Sequence, residues 1–225
     1  MKSAVKSSKV NRAWLNDHVN DTYVKLAKKD GYRARAAYKL QEIDETLHLI
    51  KPGQLVVDLG STPGAWSQYV RRKLSPKAVS GGGGAAAGEL NGRIIALDML
   101  PMESIEGVVF IQGDIREDAV LTELTAQMQG QQADLVISDM APNLSGISSA
   151  DAARIEHLVE LALEFAQEHL KPDGALVAKV FHGGSYDTLY TRFRETFVTV
   201  KRLKPKASRD RSSETFLIGL VLKNP

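Results

Sequence analysis

The chain has 225 residues, of which 43% are hydrophobic and 25% charged, and its formal net charge is +2. At ~150 residues per domain this length indicates one domain, and the apolar content excludes a disordered tail, a collagen-like rod and a disulfide mini-protein. Cysteine is absent, which excludes thiolate catalysis and Cys-based zinc sites. No apolar run reaches the ~20 residues that span a bilayer. We therefore expect a cytoplasmic protein with no membrane segment and no metal site, and a monomer by default.

Basic residues are concentrated in two segments of the chain. Residues 1–39 carry ten Lys and Arg against three acids, and residues 192–211 carry eight against two. Clustered cations bind phosphates by releasing condensed counterions, so both segments predict a nucleic-acid surface. The alternative is that they are solvated tails. The predicted contact residues are Lys9, Arg12, Lys28, Arg33, Arg35, Lys204, Lys206, Arg209 and Arg211.

The predicted elements alternate between helices and short apolar strands. Residues 1–30 form a basic extension, irregular or loosely helical, and residues 31–225 form the domain. A helix is predicted over 33–47, a strand over 55–60 and a helix over 63–74, with Pro63 in its first turn. The later elements are strands 93–98 and 108–114, helix 121–128, strand 133–140, helix 153–170, a turn at 171–174, strand 175–181, a helix near 185–195, and strands near 197–203 and 214–222.

This alternation indicates an α/β fold, a doubly wound and mostly parallel sheet with helices on both faces. One segment breaks the pattern. Residues 75–92, SPKAVSGGGGAAAGELNG, have no apolar period and are predicted to be a flexible surface insertion. Their glycine run lacks the Lys-Ser/Thr of a phosphate-binding P-loop.

The first strand leads into a glycine-containing loop that reads Asp58-Leu-Gly60-Ser-Thr-Pro63-Gly64. In doubly wound folds, ligands bind outside the carboxyl ends of the strands. The loop differs from G-x-G-x-x-G, and Pro63 lacks an N–H that a pyrophosphate would use. This favours a cofactor without a diphosphate, such as S-adenosylmethionine, and disfavours the alternative of an NAD-dependent oxidoreductase.

Acidic residues end the next three strands as well, at Asp98, Asp114 and Asp139. Carboxylates at neighbouring strand ends repel one another, so the set indicates a ligand site. Asp98 is suited to the two hydroxyls of a ribose, and Asp114 to an adenine amino group.

A second group of charged residues is predicted to meet at the same edge of the sheet. Lys179 lies inside the apolar strand ALVAKVF, where a lysine must be paired, and Asp139 ends the neighbouring strand. Glu214 opens the last strand, whose start lies at this edge if that strand is antiparallel. Lys39, on the first predicted helix, is either a phosphate contact or a catalytic group.

Several of these motifs together resemble the FtsJ/RrmJ (RlmE) family of ribosomal RNA large-subunit 2′-O-methyltransferases. They are DLGSTPGAWSQYV, the strand ends at Asp98 and Asp114, SDMAPNLSG, LVAKVF and the closing Ser-Ser-Glu, and the resemblance runs from Trp14 to Pro225. It implies a Rossmann-like S-adenosylmethionine-dependent methyltransferase fold with seven strands, the last one antiparallel. The implied catalytic tetrad is Lys39, Asp139, Lys179 and Glu214. The predicted cofactor-binding set is Asp58, Gly60, Pro63, Gly64, Trp66, Asp98, Met99, Asp114, Ile115 and Asp139.

The resemblance also implies a substrate, a uridine ribose in the A-loop of 23S rRNA within the assembling large (50S) subunit. Lys179 would orient the 2′-hydroxyl and accept its proton. The chain departs from the family pattern at Ser61-Thr62, at His182 and in the insertion. Two alternatives stay open: a 2′-O-methyltransferase of tRNA or of an mRNA cap, and a non-catalytic RNA-binding assembly factor.

Overall fold

The computed structural model describes residues 21–75, 88–142, 148–209 and 212–223. The predictions for Lys9, Arg12, Arg211 and residues 76–87 of the insertion lie outside the described residues. The helices are α1 (Thr22–Asp30), α2 (Ala37–Leu47), α3 (Ala65–Lys73), α4 (Asp118–Met128), α5 (Ser148–His169) and α6 (Tyr186–Thr196). The strands are β1 (Leu55–Leu59), β2 (Arg93–Asp98), β3 (Val108–Gln112), β4 (Ala133–Ser138), β5 (Leu170–Phe181), β6 (Phe197–Leu203) and β7 (Glu214–Leu222).

The strands form one seven-stranded sheet in the order β3-β2-β1-β4-β5-β7-β6. Strands β1 to β5 pair in parallel, and β7 runs antiparallel to both β5 and β6. The predicted α/β architecture with an antiparallel last strand is therefore confirmed. The strand order reverses between β1 and β4, and ligand sites form where the strands end at such a switch point.

Two apolar layers cover the two faces of the sheet. The face to which a strand residue points decides whether its side chain can reach the site. Leu176 and Ala178 pack in the layer that includes residues of α4, α5 and α6, whereas Val177 packs with Leu40 and Trp66 of α2 and α3. Side chains alternate between the faces of a strand. Lys179 therefore shares the α2–α3 side with Val177.

Three element boundaries differ from those predicted. Residues 22–30 form a regular helix, α1, whose first turn is capped by the Asp21 carboxylate. Helix α3 begins at Ala65, beyond Pro63, because Gly64 takes the N-cap position with φ 104°. Strand β5 begins earlier than predicted, at Leu170, and includes the predicted turn at 171–174. Leu170 pairs with Ala133 and Ala175 with Leu135, so residues 171–174 lie opposite a single residue of β4 and interrupt the ladder. Within the described parts, no helix is both long and apolar enough to cross a membrane.

Candidate active site

The loop after β1 begins at a carboxylate that has no access to solvent. Asp58 is 0% exposed, and its Oδ2 accepts a hydrogen bond of 2.6 Å from Ser67 Oγ on α3. Burial raises the pKa of Asp58 to about 7, helped by the nearby charges of Asp139 and Asp98 and opposed by the Ser67 hydrogen bond. Its second oxygen, Oδ1, has no hydrogen-bond partner among the described residues.

Close packing surrounds the two glycines, by the Met140 backbone at Gly60 and by the ends of side chains at Gly64. A Cβ on Gly60 would lie 2.9 Å from backbone atoms of Met140, and one on Gly64 would lie 2.8 to 2.9 Å from three side chains, among them that of Arg33. The Ser61 hydroxyl is buried and, like Asp58 Oδ1, finds no described partner. A narrow backbone cradle with unsatisfied polar atoms fits the polar cofactor predicted for this loop, since buried polar groups are normally hydrogen-bonded.

The next two strand ends carry carboxylates that already hold their own loops. Asp98 accepts from the backbone N–H of Thr62 at 2.9 Å and of Leu100 at 2.8 Å. Asp114 accepts from Arg116 Nε at 2.9 Å, and this hydrogen bond lowers the pKa of Asp114. A carboxylate has about four acceptor sites, so Asp98 keeps capacity for a ligand, whereas hydrogen bonds from Arg116 engage both oxygens of Asp114.

The remaining predicted cofactor contacts differ in exposure. Met99 is 59% exposed beside Asp98, whereas Ile115 is 9% exposed and packs in the core. The Trp66 indole is buried and donates to Ala36 O at 2.8 Å, so it connects α2 to α3. A cofactor contact by Pro63, Trp66, Met99 or Ile115 stays a prediction.

Lys179 and Asp139 lie in direct contact at the carboxyl edge. Lys179 Nζ is 2.8 Å from Asp139 Oδ1 and donates to the Asp139 backbone oxygen at 2.5 Å. The lysine side chain is only 7% exposed. Strand β5 supplies the lysine and the end of its neighbour β4 supplies the carboxylate, which is the proximity that the strand ends predicted.

Lys39 and Glu214 form a second ion pair. Lys39 Nζ is 2.7 Å from Glu214 Oε1 and 2.8 Å from Oε2. The buried Ser208 hydroxyl donates to the same Oε1 at 2.8 Å. Helix α2, the start of β7 and the loop before β7 thus meet at one carboxylate.

Sheet register brings the two pairs to one side of the sheet. Across β5 and β7, Lys179 pairs with Phe216, and Phe181 pairs with Glu214. Directly paired residues of an antiparallel ladder face the same side, so Lys179 and Glu214 are diagonal neighbours there. Lys39 Nζ lies 5.9 Å from the centre of the Phe216 ring. Two lysines and two carboxylates therefore converge at this edge, an arrangement that can hold a cation and move a proton.

Two of the arginines predicted to contact RNA are engaged within the chain instead. The Arg33 guanidinium donates to the backbone oxygens of Pro63 at 3.0 Å, Glu103 at 2.6 Å and Ser104 at 2.9 Å. Arg35 pairs with Asp21 and donates to a backbone oxygen in the loop before β7. Both guanidinium groups therefore join loops within the chain, and a contact of either one with RNA stays a prediction. The side chains of Lys28, Lys204, Lys206 and Arg209 are exposed.

Sequence reasoning missed two serines that hold these carboxylates. Ser67 lies on the buried face of α3 among Ala65, Trp66 and Tyr69, and a hydroxyl on an apolar face was a usable signal, because a buried donor needs a partner. Ser208 stands in a basic loop, where no local pattern marked it.

A comparison with protein families gives the same assignment as the site. The FtsJ-like methyltransferase family model matches residues 32–222, which include all four residues of the two ion pairs. The chain belongs to the FtsJ-like methyltransferase family. It is therefore a methyltransferase, as predicted, and the alternative of an NAD-dependent oxidoreductase is wrong.

Similar proteins cover nearly the whole chain. The ribosomal RNA large subunit methyltransferase E of Albidiferax ferrireducens is 80% identical over 223 residues, 99% of both chains. The protein of that name from Variovorax paradoxus is 68% identical and covers 99% of this chain and 98% of its own. A crystal structure from Plasmodium falciparum, of a protein assigned as a ribosomal RNA methyltransferase, superposes with a TM-score of 0.70 at 27% identity. That match covers 85% of this chain and 98% of the other.

Proposed function

We propose that this FtsJ-like methyltransferase transfers a methyl group from S-adenosylmethionine to the 2′-oxygen of a uridine in 23S rRNA, in the A-loop of the large (50S) ribosomal subunit. The observation that carries the proposal is the buried Lys179–Asp139 pair beside the Lys39–Glu214 pair. The names of the 80% and 68% identical relatives support the substrate class. We expect the enzyme to work as a monomer in the cytoplasm, where ribosomal subunits assemble.

The cradle after β1 and the neighbouring strand ends would hold the cofactor. Gly60 and Gly64 give close access to the backbone, and Asp58 Oδ1 offers an acceptor with no described partner. Asp98 ends β2 and keeps acceptor capacity for hydroxyl groups. Asp114, just after the adjacent β3, would accept an amino group once the exposed Arg116 side chain moves away from it. S-adenosylmethionine, when bound, supplies an electrophilic methyl group on a sulfonium sulfur.

Lys179 is the group proposed to handle the hydroxyl proton. Nζ of Lys179, in its neutral amine form after releasing a proton to solvent, would orient the 2′-hydroxyl by accepting its hydrogen bond. It would take up the proton as the O–H bond breaks, while the oxygen bonds to the methyl carbon and that carbon separates from the sulfonium sulfur. The Asp139 side chain and backbone oxygens then stabilise the ammonium, since both already lie within 2.8 Å of Nζ.

Lys39 is proposed to balance charge next to the substrate. Glu214 fixes its ammonium with both carboxylate oxygens, so the cation stays at the edge of the site while phosphates approach. The exposed Lys28, Lys206 and Arg209 extend the cationic surface beyond it. Binding by such a surface weakens steeply with salt because it releases counterions.

The experiment that tests this function measures methyl transfer from radiolabelled S-adenosylmethionine to purified large subunits that lack 2′-O-methylation. Wild type is compared with Lys179→Ala and with Lys171→Ala. Lys171 is a matched control because it also lies on β5 and pairs with an aspartate of β4, Asp134, at 2.6 Å. We expect label on a 23S ribose with wild type and Lys171→Ala, and none with Lys179→Ala.

Other outcomes separate the alternatives. Label on tRNA or on capped mRNA, but not on subunits, would keep the mechanism and change the substrate. Cofactor binding with no label on any RNA would favour a non-catalytic assembly factor. Equal activity of wild type and Lys179→Ala would overturn the assigned role of Lys179.

A further inference from the structure

The loop that connects β6 to β7 has two chemically different sides. Within residues 204–209, the side chains of Lys204, Lys206 and Arg209 are exposed, whereas Ala207 and Ser208 are 0% and 4% exposed. The loop therefore presents cations outward and a single hydroxyl inward. We call it the 204–209 loop. Of its cations, Lys204 donates to the Ser212 backbone oxygen at 2.9 Å, and Arg209 Nε lies 4.0 Å from Asp21 Oδ2.

Two charged side chains, Arg35 just before α2 and Glu42 within it, fix the backbone of the 204–209 loop. Glu42 accepts from the backbone N–H of Lys206 at 2.6 Å and of Ala207 at 2.9 Å. Arg35 donates to the Ala207 backbone oxygen. Hydrogen bonds to charged groups are stronger than neutral ones, so three such bonds hold two adjacent residues of the loop.

Ser208 connects the fixed backbone of this loop to the Lys39–Glu214 pair. Its hydroxyl donates to Glu214 Oε1 at 2.8 Å, and the same carboxylate holds Lys39 Nζ through both oxygens. Because Ser208 is buried, bulk water is poorly placed to replace its hydrogen bond. Ser208 is thus a second donor to the Glu214 carboxylate, besides Lys39, and the one that connects this carboxylate to the 204–209 loop.

We propose that Ser208 is a positioning residue for the Glu214–Lys39 pair, and that the 204–209 loop couples RNA contact to this pair, with Lys206 and Arg209 contacting RNA phosphates. The proposal rests on the proposed function for its RNA. It deepens that function, because phosphates bound to the outer side of the loop then contact the same segment whose Ser208 hydroxyl orients Glu214.

The kinetic test separates the two sides of the loop. Methylation of the RNA substrate is measured with wild type, Ser208→Ala, Ser208→Thr and Lys206→Ala. Ser208→Ala should lower kcat about tenfold with little change in KM for RNA, since displaced catalytic groups cost rate. Ser208→Thr, which keeps the hydroxyl, should recover most of the loss. Lys206→Ala should raise KM for RNA severalfold and also lower kcat severalfold, because the loop then lacks a phosphate contact through which RNA acts on the Glu214–Lys39 pair; an unchanged kcat would overturn the coupling.

A second readout needs no RNA. Lysines are acetylated briefly with acetic anhydride, and the modification at Lys39 is measured by mass spectrometry. Its side chain is 13% exposed in the pair, so loosening Glu214 should make Lys39 react severalfold more in Ser208→Ala. Lys206→Ala is the control and should leave the reactivity of Lys39 unchanged. Equal unfolding temperatures of the variants would show that the fold is intact.

The outcomes of the two readouts are distinct. Unchanged Lys39 reactivity in Ser208→Ala overturns the proposal, whether or not RNA is methylated. A change in KM alone for Ser208→Ala, or no better rate for Ser208→Thr than for Ser208→Ala, also overturns it. A wild type that labels no RNA overturns the proposed function and leaves the acetylation result to decide on Ser208.

Discussion

Strands β4 and β5 carry two lysine–aspartate pairs, one at each end, and their surroundings differ. Lys179 lies 2.8 Å from Asp139 at the carboxyl edge, and Lys171 lies 2.6 Å from Asp134 at the amino edge. The Lys179 side chain is 7% exposed and that of Lys171 is 41% exposed. Asp134 also accepts from the backbone N–H of Leu55 at 2.8 Å, so it serves to join β1 to β4.

The difference teaches that an ion pair alone does not identify a candidate catalytic group. An exposed pair contributes ~0–1 kcal/mol to stability, whereas removing one partner of a buried pair leaves a charge that is costly to keep. The buried pair lies beside Glu214, at the edge where ligands bind in this fold. Location and burial, more than distance, separate a group that can act on substrate from one that holds strands together.

The largest expected contrast is between Asp139→Asn and Asp134→Asn. Asp139→Asn removes the charge that stabilises the Lys179 ammonium, so methyl transfer should fall ~10³-fold, within the range of general acid–base effects. Asp134→Asn should leave the rate within about twofold of wild type and lower the free energy of unfolding by ~1 kcal/mol. Initial rates and urea denaturation measure both. Equal rate losses in the two variants would contradict the comparison.

The next contrast concerns pH and the carboxyl edge. Burial raises the pKa of Asp58 to about 7 from an ordinary value of 3.8, so the native chain binds a proton that the unfolded chain has released. Wild type should therefore lose stability as pH rises through 7. Asp58→Asn does not titrate. The free energy of unfolding of wild type, relative to this variant, should fall by up to ~3 kcal/mol between pH 5 and pH 8. Urea denaturation measures this free energy. If wild type and Asp58→Asn differ by the same amount at pH 5 and at pH 8, the raised pKa of Asp58 is refuted.

Two glycines with nearly the same backbone sharpen the comparison of the edges. Gly60 at the carboxyl edge has φ 76° and no room for a Cβ, whereas Gly130 at the amino edge has φ 74° and nothing within 4 Å of one. Gly130→Ala should cost only the left-handed conformation, ~1 kcal/mol. Gly60→Ala should cost ~2 kcal/mol more, because Met140 must move, and should weaken cofactor binding. Thermal unfolding measures the stability loss, and calorimetric titration measures cofactor binding. A larger loss of either in Gly130→Ala than in Gly60→Ala would contradict the expectation.

The smallest expected effect is on cofactor affinity in an arginine variant. Arg33 joins the loops after β1 and β2 through three backbone oxygens. Arg33→Ala should loosen the cradle and raise the Kd for S-adenosylmethionine about fivefold, equivalent to ~1 kcal/mol. The control is Arg93→Ala at the amino edge, where Arg93 donates to Gln127 at 3.3 Å. An unchanged Kd in Arg33→Ala would show that the cradle stands without it.

Patterns that depend on strand ends were predictable from the sequence. The alternation of apolar strands and helices gave the sheet, and the parallel arrangement of β4 and β5 was enough to expect Lys179 near Asp139. The start of α3 was not predictable in the same way. A proline such as Pro63 is compatible with the first turn of a helix, as predicted, and also with the position just before the N-cap residue Gly64, as observed. Local signals overlap at such boundaries.

Partners of charged side chains were the part that the sequence left open. Arg33 and Arg35 lie in a basic segment, yet they bond to backbone oxygens and to Asp21 of their own chain. A count of cations does not tell whether a guanidinium meets a phosphate or a carbonyl, since both accept its hydrogen bonds. Ser208 was missed for a related reason: its partner, Glu214, is reached only after the chain has folded.

The place of β7 inside the sheet sets a time for the enzyme to become active. Glu214 follows its partner Lys39 by 175 residues, which a ribosome takes about 10–35 s to add at ~5–20 residues per second. Until β7 emerges and inserts between β5 and β6, the chain has an open strand edge and an incomplete catalytic group. With the role proposed for Glu214, a chain translated only through β6 would be unable to modify RNA. Its activity would begin when β7 pairs with β5 and β6 and brings Glu214 to Lys39.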